Sequence, residues 1–392
     1  MVESQKTHGA CHLAEPWFLS QNESQPPFVE IDGQPGVAEE AYRRSAELLT
    51  ESNYPLIYGL SRSTTAGQRA AVALADRIGA TIDTTASTGH APSIIALQQA
   101  GESTSTLGEV KNRADLVIFW GSDPVTTHPR HLERYSLEAK GRWVPNGRPD
   151  RFLVVLDEQE TETAKKADLF IQVQPGRNWD AICMLRMLVR DYPVSDSNPQ
   201  LRELAQRMKS CRCGVVFFGS GLTHDRHAHQ TIEALLRLVT DLNAYTRFYA
   251  RRMRRYGDVA GADSVLAWQT GYPFGVNLSR GYPRYNPGEF TGPEMLSRGE
   301  VDLCLLVGSE TIADFPAAAL DHLRRIPIIV LDSPGVESPV PTAVKFRTAV
   351  YGVHRPGTAY RMDEVPIPLR VLLPTDYPSD GEVLNELLRR VG

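Results

Sequence analysis

The sequence predicts an α/β fold built around a mostly parallel β-sheet. Short runs of β-branched and aromatic residues alternate with segments of helical period, which is the pattern of consecutive βαβ units. Several of these runs end in Gly or Asp and continue into a turn, as at Trp120–Asp123, Phe218–Gly221 and Val307–Ser309. Because open α/β sheets bind ligands at the carboxyl ends of their strands, these turns are the first candidate ligand-binding positions.

Seven strands and two helices are the clearest elements along the chain. The strands are Pro55–Leu60, Leu116–Gly121, Phe152–Asp157, Leu169–Val173, Gly214–Gly219, Val301–Gly308 and Ile326–Asp332. The helices are Thr65–Ile78 and Asp225–Leu242. Apolar residues recur every three or four positions in both helices, so each is expected to lay one face against a sheet.

The composition indicates two or three globular domains. The chain has 392 residues, with 42 Lys and Arg against 47 Asp and Glu and a net charge of −5. This acidic balance argues against a general nucleic-acid-binding protein, which would present a strongly basic face. The longest apolar runs, such as Ile326–Leu331, fall far short of the ~20 residues of a membrane helix. The start, Met1–Gln5, lacks the features of a signal peptide, so we expect a cytoplasmic protein that does not bind membranes.

The cysteines and histidines do not form an evident metal site. The five cysteines are Cys11, Cys183, Cys211, Cys213 and Cys304. They are odd in number and scattered, which excludes a disulfide scaffold and a cluster-binding run, and buried thiols are the favoured interpretation of Cys211 and Cys213.

Two groups of histidines lie near predicted turns, His128 with His131, and His224 with His227 and His229. A protein metal site needs at least three ligands, and the first group supplies two, so the alternative there is the start of a helix with Arg130 in solvent. In the second group, residues two apart do not share a helical face. We therefore expect no metal at either group.

The segment Gly271–Pro293 combines Gly, Pro and aromatic residues without any period. This composition predicts a long ordered loop. A loop of this length in a compact domain is usually functional, and the alternative is a structural loop that covers an edge of the sheet. The residues alone leave both interpretations open.

The densest positive cluster of the chain consists of Arg251, Arg252, Arg254 and Arg255. Such a cluster can bind a phosphate or a polycarboxylate or can face acidic residues of a partner, and the alternative is a solvated face. The sequence has no Walker motif, and Gly219–Gly221 lacks the third glycine of a dinucleotide fingerprint. It has no nucleophile-elbow motif either, so the residues alone do not define a catalytic centre.

Six longer segments resemble one known family. They are Ala86–Ser93, Thr106–Asp115, Phe119–Pro124, His128–Tyr135, Leu278–Glu289 and Gly357–Pro366. Together they resemble the B subunit of formylmethanofuran dehydrogenase, a short branch of the molybdopterin oxidoreductases, over about residues 50–392. The resemblance implies a formate dehydrogenase-like α/β fold, in which two Rossmann-like domains have mostly parallel sheets and one domain is inserted in the other.

The resemblance also implies domain boundaries. Residues 51–85 and 246–350 are expected to form one Rossmann-like domain, and residues 86–245 are expected to form the inserted one. Residues 351–392 would close the cleft as a C-terminal segment. The N-terminal arm, residues 1–50, would be the remnant of an iron–sulfur domain.

Two departures from the family pattern concern metal ligands. Members bind molybdenum or tungsten through two pterin dinucleotides and a Cys or selenocysteine in a Ser-x-Cys-His-Gly-Pro segment. Here that segment is Ser87–Pro92, and Gly89, which has no donor atom, stands at the ligand position next to His90, the family's catalytic neighbour. The N-terminal cysteines of a [4Fe–4S] cluster are also missing, because Cys11 stands alone and the cluster needs four thiolates.

A third departure lies at Asp157–Thr161, which is Asp-Glu-Gln-Glu-Thr where relatives have Asp-Pro-Arg-x-Thr at a pterin nucleotide site. Losing the Arg and gaining two carboxylates disfavours a pyrophosphate-bearing ligand. The vestigial pterin cleft implied by the resemblance contains Gly121, Ser122, Asp123, Asp157, Thr161, Gly219 and Gly221. We expect no catalytic residue, no metal and no cofactor, with Gly89 and His90 as vestiges.

A chain that departs from the family pattern at all three sites resembles the B subunit of bacterial formyltransferase/hydrolase complexes. These complexes handle one-carbon units on a methanofuran analogue and tetrahydromethanopterin. The resemblance implies amidohydrolase-like A, C and formyltransferase D subunits as partners and a non-redox role for this chain. One alternative is an active molybdenum or tungsten oxidoreductase that ligates its metal through another group, such as His90. The other is binding of the methanofuran-type coenzyme, or its acidic tail, in the vestigial cleft near Arg251–Arg255.

Overall fold

The computed structural model describes residues 10–20, 26–195, 198–224, 227–255 and 257–392. The first elements are α1 (Ala14–Ser20), β1 (Val29–Ile31), β2 (Gln34–Pro35), α2 (Ala38–Glu51), β3 (Pro55–Gly59), α3 (Thr65–Ile78), β4 (Thr81–Thr84) and α4 (Ala86–Gly89). They are followed by α5 (Ala91–Ala100), α6 (Leu107–Arg113), β5 (Leu116–Trp120), α7 (Pro124–Thr127), β6 (Phe152–Asp157), β7 (Leu169–Gln172), α8 (Asn178–Val189), α9 (Pro199–Ser210), β8 (Cys213–Phe218), α10 (Ser220–Thr223), α11 (Ala228–Leu242) and β9 (Arg247–Arg252). The last elements are α12 (Val259–Thr270), β10 (Val276–Asn277), β11 (Arg284–Tyr285), α13 (Gly292–Ser297), β12 (Leu303–Val307), α14 (Ala317–Leu323), β13 (Ile328–Asp332), β14 (Val344–Arg347), β15 (Gly357–Tyr360), β16 (Pro366–Leu369) and α15 (Asp380–Arg390).

These elements divide into two compact units. The described residues up to Thr88 and from Gly257 onward form one, here called the split unit. Those from Gly89 to Arg255 form the other, the inserted unit. Among the described helices, none is both long and apolar enough to cross a membrane.

The split unit is built on one large sheet. Its described strands lie in the order β11-β10-β4-β3-β12-β13-β14-β1-β2. The five central strands, from β4 to β14, are parallel, and antiparallel strands extend the sheet at both sides. From β3 the chain passes to β4 on one side and later returns to β12 on the other. The strand order therefore reverses between β3 and β12, which is where an open α/β sheet forms a crevice.

Helix α3 is one of the helices that pack on this sheet. It begins at Thr65, as the sequence predicts, because Oγ1 of Thr64 accepts a hydrogen bond from the N–H of Gly67 at 3.3 Å. It ends at Gly79, whose φ of +67° suits glycine. The apolar face of α3 enters the core through Ala70, Ala71, Leu74 and Ala75. In the same core, α15 contributes Val383, Leu384 and Leu387.

The inserted unit has a smaller sheet in the order β7-β6-β5-β8-β9, with all neighbouring strands parallel. From β5 the chain moves to β6 and β7 on one side, and then to β8 and β9 on the other. The switch point therefore lies between β5 and β8. Helices α8, α9 and α11 bury Ile182, Leu204 and Leu235 in the same core as Ile118 of β5. The predicted α/β fold with mostly parallel sheets is confirmed.

The elements predicted from periodicity are also present. All seven predicted strands form, with ends that differ by at most two residues. Helix α3 has the predicted bounds, and the helix predicted over Asp225–Leu242 begins at Ala228. Asp225 itself lies outside the described residues.

Strand pairing and helix packing move three of the predicted domain limits. Strand β9 pairs with β8, with Arg247 opposite Cys213, so the inserted unit continues beyond residue 245. At the N-terminus, β1 pairs with β14, which makes residues 29–31 part of the split unit's sheet rather than of a separate arm. At the C-terminus, α15 packs on α3 in the same unit. The predicted boundaries came from the resemblance of separate segments, which does not specify the sheet that a strand joins or the helix against which another helix packs.

The segment Gly271–Pro293 covers a sheet edge, as one of its two interpretations proposed. Strands β10 and β11 form a hairpin, and β10 pairs with β4. The rings of Tyr272 and Tyr285 stack with their centroids 4.9 Å apart. The segment is therefore an ordered extension of the sheet.

Asp83 of β4 holds this hairpin and the start of α13. Its carboxylate accepts hydrogen bonds from the N–H groups of Thr84 (2.9 Å), Gly275 (2.9 Å) and Gly292 (2.7 Å). The side chain is fully buried, and this burial outweighs the hydrogen bonds and raises the pKa of Asp83 to about 7. In the unfolded chain the carboxyl returns to an ordinary pKa near 3.8.

We predict that Asp83 makes the protein less stable as the pH rises from about 4 to about 7. The unfolded chain releases the proton at the lower pH and the folded chain keeps it until the higher one, so the free energy of unfolding falls across this window. The Asp83→Asn variant removes this contribution. Its stability relative to the wild type should therefore improve by on the order of 3 kcal/mol between about pH 5 and about pH 7.5, as measured by thermal unfolding. The exposed Asp76→Asn is the control, and a wild type-to-D83N difference that does not vary with pH would contradict the assignment.

Candidate functional site

A cavity of about 430 Å³ lies at the carboxyl ends of the strands in the inserted unit. It is lined by Gly121, Asp157, Glu158, Gln159, Gly176, Asn178, Ser220, Gly221 and His224. Gly121 follows β5, Asp157 ends β6 and Ser220 follows β8. The cavity therefore occupies the switch point that the strand order creates.

Two glycines permit the close approach of the chain at this point. The N–H of Gly221 donates to the carbonyl of Gly121 at 3.0 Å, and a Cβ on Gly121 would lie 2.8 Å from the Cα of Gly221. Gly121 also has a φ of +55°, which favours glycine. A side chain at this position would push β5 and β8 apart at their ends.

The predicted cleft residues divide into three groups. Gly121, Asp157 and Gly221 line the cavity, whereas Asp123 and Thr161 stabilise the neighbouring loop. Oδ1 of Asp123 accepts hydrogen bonds from the N–H (3.1 Å) and the Oγ1 (2.5 Å) of Thr163. Oγ1 of Thr161 accepts one from the N–H of Ala164 at 3.1 Å. The remaining two, Ser122 and Gly219, pack together, since a Cβ on Gly219 would meet Cβ of Ser122 at 2.9 Å.

The sequence did not identify Asn178 and His224 as cavity residues. Oδ1 of Asn178 accepts a hydrogen bond from the indole N–H of Trp120 at 2.9 Å, which fixes the amide in the cavity wall. The sequence feature that could have indicated Asn178 is the turn at Pro175–Gly176, which follows β7 and therefore lies at the same edge as the other strand ends. His224 lies at this edge because it follows the short helix α10, which comes directly after β8.

The charge of this cavity is negative. Burial raises the pKa of Asp157, and the neighbouring carboxylates of Glu158 and Asp123 raise it further, while the N–H groups of Glu158 and Gln159 lower it. Among the described residues, no Arg or Lys lines the cavity, which would otherwise pair with phosphate oxygens. A pyrophosphate group therefore meets two carboxylates and none of the described cations here.

The metal-ligand position of the resemblance lies at the junction of α4 and α5. Gly89 ends α4, and no described atom lies within 4 Å of a Cβ built on it. Its φ is not in the left-handed region, so the backbone would accept any residue. His90 precedes α5 and is buried, and its carbonyl accepts a hydrogen bond from Oγ of Ser93 at 2.7 Å. Nothing in the described local structure requires glycine at position 89.

The described thiols are not poised to bind metal. Burial raises the pKa of Cys211 to about 12 and that of Cys213 to about 11, and it also raises the pKa of Cys304. Because the thiolate is the metal ligand, these protonated thiols are poor ligands at neutral pH. Across the described part of the chain, no three His, Cys, Asp or Glu side chains come close enough to hold a metal ion.

The split unit has its own, larger cavity of about 700 Å³ at the carboxyl ends of β12, β13 and β14. Most of the lining is apolar, including Val307, Leu331 and Val350, and α1 adds Trp17 and Phe18. The polar lining includes the ion pair of Arg62 with Glu310, at 3.0 Å, and Asp380. Burial raises the pKa of Asp380 to about 6. The N-terminal helix therefore forms part of the wall of this cavity.

The residues present do not fit the cofactors that the family resemblance implies. Gly89 stands where the resemblance implies the metal ligand, and glycine supplies no ligand atom. The cavity of the inserted unit has carboxylates where a pterin nucleotide needs cations. An iron–sulfur cluster needs four thiolates, and Cys11 is the single cysteine before residue 183.

The predicted histidine pair has a packing role. Nε2 of His128 lies 2.8 Å from the carbonyl of Arg254, and burial lowers the pKa of this imidazole. Nδ1 of His131 lies 2.9 Å from Oγ of Ser136, and its ring is 6.5 Å from that of His128, measured between centroids. The two rings stabilise the loop after α7 and do not converge on a shared ligand.

The predicted arginine cluster is not a continuous exposed surface. Arg251 and Arg252 belong to β9 and are 2% and 8% exposed. Arg251 donates to Oγ1 of Thr104 at 2.7 Å, and Arg252 pairs with Glu102 at 3.0 Å. The solvated-face interpretation is therefore wrong for these two residues, whereas the anion-site interpretation stays a prediction. Of the other two, Arg254 is half-buried and Arg255 is exposed.

Curated relatives match nearly the whole chain, although no protein-family model matches it. The B subunit of the tungsten-containing formylmethanofuran dehydrogenase 2 of Methanocaldococcus jannaschii is 41% identical over 391 residues, which is 98% of this chain and 88% of the relative. The same subunit of Methanococcus maripaludis is 40% identical over 381 residues, covering 95% and 87%. The B subunit of the formyltransferase/hydrolase complex of Methylorubrum extorquens is 24% identical over 279 residues, covering 71% and 74%.

Solved structures show the same fold. A chain in the crystal structure of the formyltransferase/hydrolase complex of Methylorubrum extorquens with methylofuran has a TM-score of 0.80 at 22% identity, covering 93% of this chain and 98% of that one. Acetylene hydratase from Pelobacter acetylenicus has a TM-score of 0.69 at 10% identity, covering 97% of this chain and 63% of the hydratase. The predicted molybdopterin oxidoreductase-type fold is confirmed.

The family follows from the sequence relatives. Two proteins of one kind are 40% identical or more across almost the entire length of the chain, and the third is the corresponding subunit of a related complex. The six segments that predicted the family lie within the matched length. The chain belongs to the B-subunit family of formylmethanofuran dehydrogenase.

Proposed function

We propose that this chain is a non-redox B subunit with a structural role in a formyltransferase/hydrolase-type complex. The observation that carries the proposal is Gly89, which stands at the position of the family's thiolate or selenolate ligand. A metal held there would lose its protein ligand, because glycine supplies no donor atom. The open space around this glycine means that packing did not impose the loss.

Three further observations support a subunit without its own redox centre. Burial raises the pKa values of the thiols of Cys211, Cys213 and Cys304, which disfavours their thiolate forms. The negative cavity at Asp157 and Glu158 repels a pyrophosphate-bearing cofactor. The cavity of the split unit is walled in part by α1, where the resemblance would place an iron–sulfur segment.

The partners proposed for the chain follow from its relatives. A formyltransferase/hydrolase complex from Methylorubrum extorquens has a B subunit similar to this chain and has been crystallised with methylofuran. By analogy, we propose amidohydrolase-like A, C and formyltransferase D subunits as partners, in one-carbon metabolism linked to methanofuran and tetrahydromethanopterin. The reactions would take place on those partners, where hydrolysis of a formyl amide breaks the C–N bond and releases formate and the free amine.

An active oxidoreductase is the second candidate, favoured by one observation. The relatives with the higher identities, 41% and 40%, are subunits of tungsten-containing enzymes. In that case another residue must take the place of the missing ligand, and His90 is adjacent to Gly89. Metal content and formate oxidation distinguish this candidate from the structural subunit.

We predict that the complex of this chain with its partners contains far less than one molybdenum or tungsten atom per chain. The chain supplies no thiolate at the position expected for molybdenum or tungsten, and it lacks the four thiolates of an iron–sulfur cluster. Cells supplied with molybdate, tungstate and iron should therefore still yield protein without these metals. Elemental analysis of the purified complex makes this measurement, with formate-dependent reduction of a viologen dye as the matching activity assay. Near-stoichiometric metal together with dye reduction would establish the oxidoreductase instead.

We predict that Gly89→Cys folds like the wild type. Because a Cβ at this position meets no described atom within 4 Å, its free energy of unfolding should stay within about 1 kcal/mol of the wild-type value. Gly121→Cys is the matched control in the same unit, and its contact with Gly221 should cost more than about 2 kcal/mol. Chemical denaturation compares the three proteins. Strong destabilisation by G89C would show that the fold itself requires glycine there.

We predict that charge, rather than shape, keeps pyrophosphate out of the cavity of the inserted unit. The double variant Glu158→Gln with Gln159→Arg removes one carboxylate and adds one guanidinium, so it should bind inorganic pyrophosphate at least about tenfold more tightly than the wild type. Isothermal titration calorimetry measures the affinity. Glu203→Gln with Gln206→Arg makes the same charge change on the exposed face of α9 and should have no effect. Tight binding by the wild type would refute the prediction.

A further inference from the structure

A small cavity of about 290 Å³ lies at the amino ends of β8 and β9, at the opposite edge of the inserted unit's sheet from the site described above. It is lined by Arg113, Trp143, Arg212, Cys213, Thr246 and Arg247. Three of these six described lining residues are arginines, and no Asp or Glu is among the six. In a chain with a net charge of −5, this concentration of positive charge requires an explanation.

The guanidinium groups are only partly neutralised. Glu109 pairs with Arg113 at 2.9 Å and also lies 3.9 Å from Arg247, so one carboxylate serves two arginines. Asp115 pairs with Arg212 at 3.0 Å. The three arginine side chains are 37%, 58% and 65% exposed in the order 113, 247 and 212. Each guanidinium has five N–H donors, so a single ion pair uses only part of the capacity of each of these arginines.

The surrounding carboxylates have little capacity left. Oδ1 of Asp115 accepts a hydrogen bond from the N–H of Cys213 at 2.9 Å, and its Oδ2 accepts two from the backbone and the Nε of Arg212. The carboxylate of Asp150 accepts two hydrogen bonds from Asn146, which lower its pKa, and the charge of Arg212 lowers the pKa further. With Arg142, which lies beside Trp143, this region has four arginines and three carboxylates, those of Glu109, Asp115 and Asp150, so the formal charges leave a positive excess.

Trp143 adds an apolar anchor to this surface. Its ring is 48% exposed, and the guanidinium carbons of Arg113 and Arg142 each lie 5.5 Å from the ring centroid. Such distances allow cation–π attraction, which orders the two arginines beside the ring. Trp and Arg are among the residue types that most often dominate the energy of protein–protein interfaces.

The loop that presents Trp143 is held in place before any partner binds. The N–H of Trp143 donates to the carbonyl of Asn112 at 2.9 Å, and the N–H of Arg142 donates to Oδ1 of the same residue at 3.2 Å. The next residue, Val144, is fully buried. A Cβ on Gly141 would lie 2.1 Å from the carbonyl oxygen of Lys111, so the loop packs directly on the end of α6.

Arg151 secures the base of this loop from inside. It is 3% exposed, and its guanidinium donates to four backbone carbonyls. These carbonyls belong to Lys111 (2.7 Å), Ala114 (3.0 Å), Leu137 (2.7 Å) and Ala139 (2.5 Å). The exposed tryptophan is therefore preorganised, which lowers the entropy cost of binding.

We propose that Arg113, Arg142, Trp143, Arg212 and Arg247, together the arginine–tryptophan surface, bind an acidic polypeptide segment of a partner chain. Two or more carboxylates of that segment would pair with the exposed guanidiniums, and its chain would lie over the indole ring. The cavity is close to the lower size limit of small-molecule sites, and its arginines are half-exposed rather than buried around one point. This arrangement favours an extended segment over a single small anion. The proposal holds whether or not the chain carries a redox centre.

A labelled hexaglutamate peptide tests the proposal on the full chain by fluorescence anisotropy. The wild type should bind the peptide, and raising the salt from about 50 to about 300 mM should weaken the affinity. Arg212→Glu with Arg247→Glu, and separately Trp143→Ala, should each weaken it at least about tenfold. Because the Trp143 side chain is about half-exposed, Trp143→Ala should fold normally and keeps the test valid if the charge variant misfolds. Thermal unfolding checks that every variant is folded.

Matched controls and competitors make the outcome decisive. Arg177→Glu and Trp179→Ala alter an arginine and a tryptophan of similar exposure elsewhere in the inserted unit, at 64% and 43%, and should leave the affinity unchanged. Inorganic phosphate should compete with the peptide only at far higher concentration. The proposal is overturned if the wild type does not bind the peptide, if the controls weaken binding as much as the test variants, or if phosphate competes equally well.

Discussion

The close contact of two chain turns organises the inserted unit. Where β5 and β8 leave the sheet, Gly121 and Gly221 approach so closely that a Cβ on the first would lie 2.8 Å from the Cα of the second. Parallel pairing brings the end of β6, with Asp157, to the same edge. The cavity at this edge therefore results from strand order and backbone contact, and its existence does not depend on which polar side chains surround it.

Because the cavity depends on the backbone rather than on polar side chains, the fold can form with Gly89 at the position where the family resemblance implies a metal ligand. The two sheets are stabilised by apolar cores, including Ile118 with Leu235 in one unit and Leu305 with Leu384 in the other. None of these residues is a candidate ligand. Replacing a ligand residue at an open position removes no core contact, so the cost in stability is small.

The two edges of the inserted unit's sheet carry opposite charge. Asp157 and Glu158 lie at the carboxyl edge, whereas Arg212 and Arg247 lie at the amino edge. The carboxylates at the first edge disfavour phosphate-bearing ligands, and the guanidiniums at the second favour carboxylates. This distribution is consistent with the proposed contact of an acidic partner segment at the amino edge.

The elements and the family could be identified from the sequence alone, because both depend on local patterns. The strand at Phe152–Asp157, helix α3 and the glycine at position 89 could all be recognised without the structure. The tertiary structure decided what the polar residues do. Arg252 is predicted from its neighbours to belong to an exposed cluster, yet it pairs in the interior with Glu102, a residue 150 positions away. Burial and pairing depend on contacts between distant segments, and the spacing of residues along the chain does not record them.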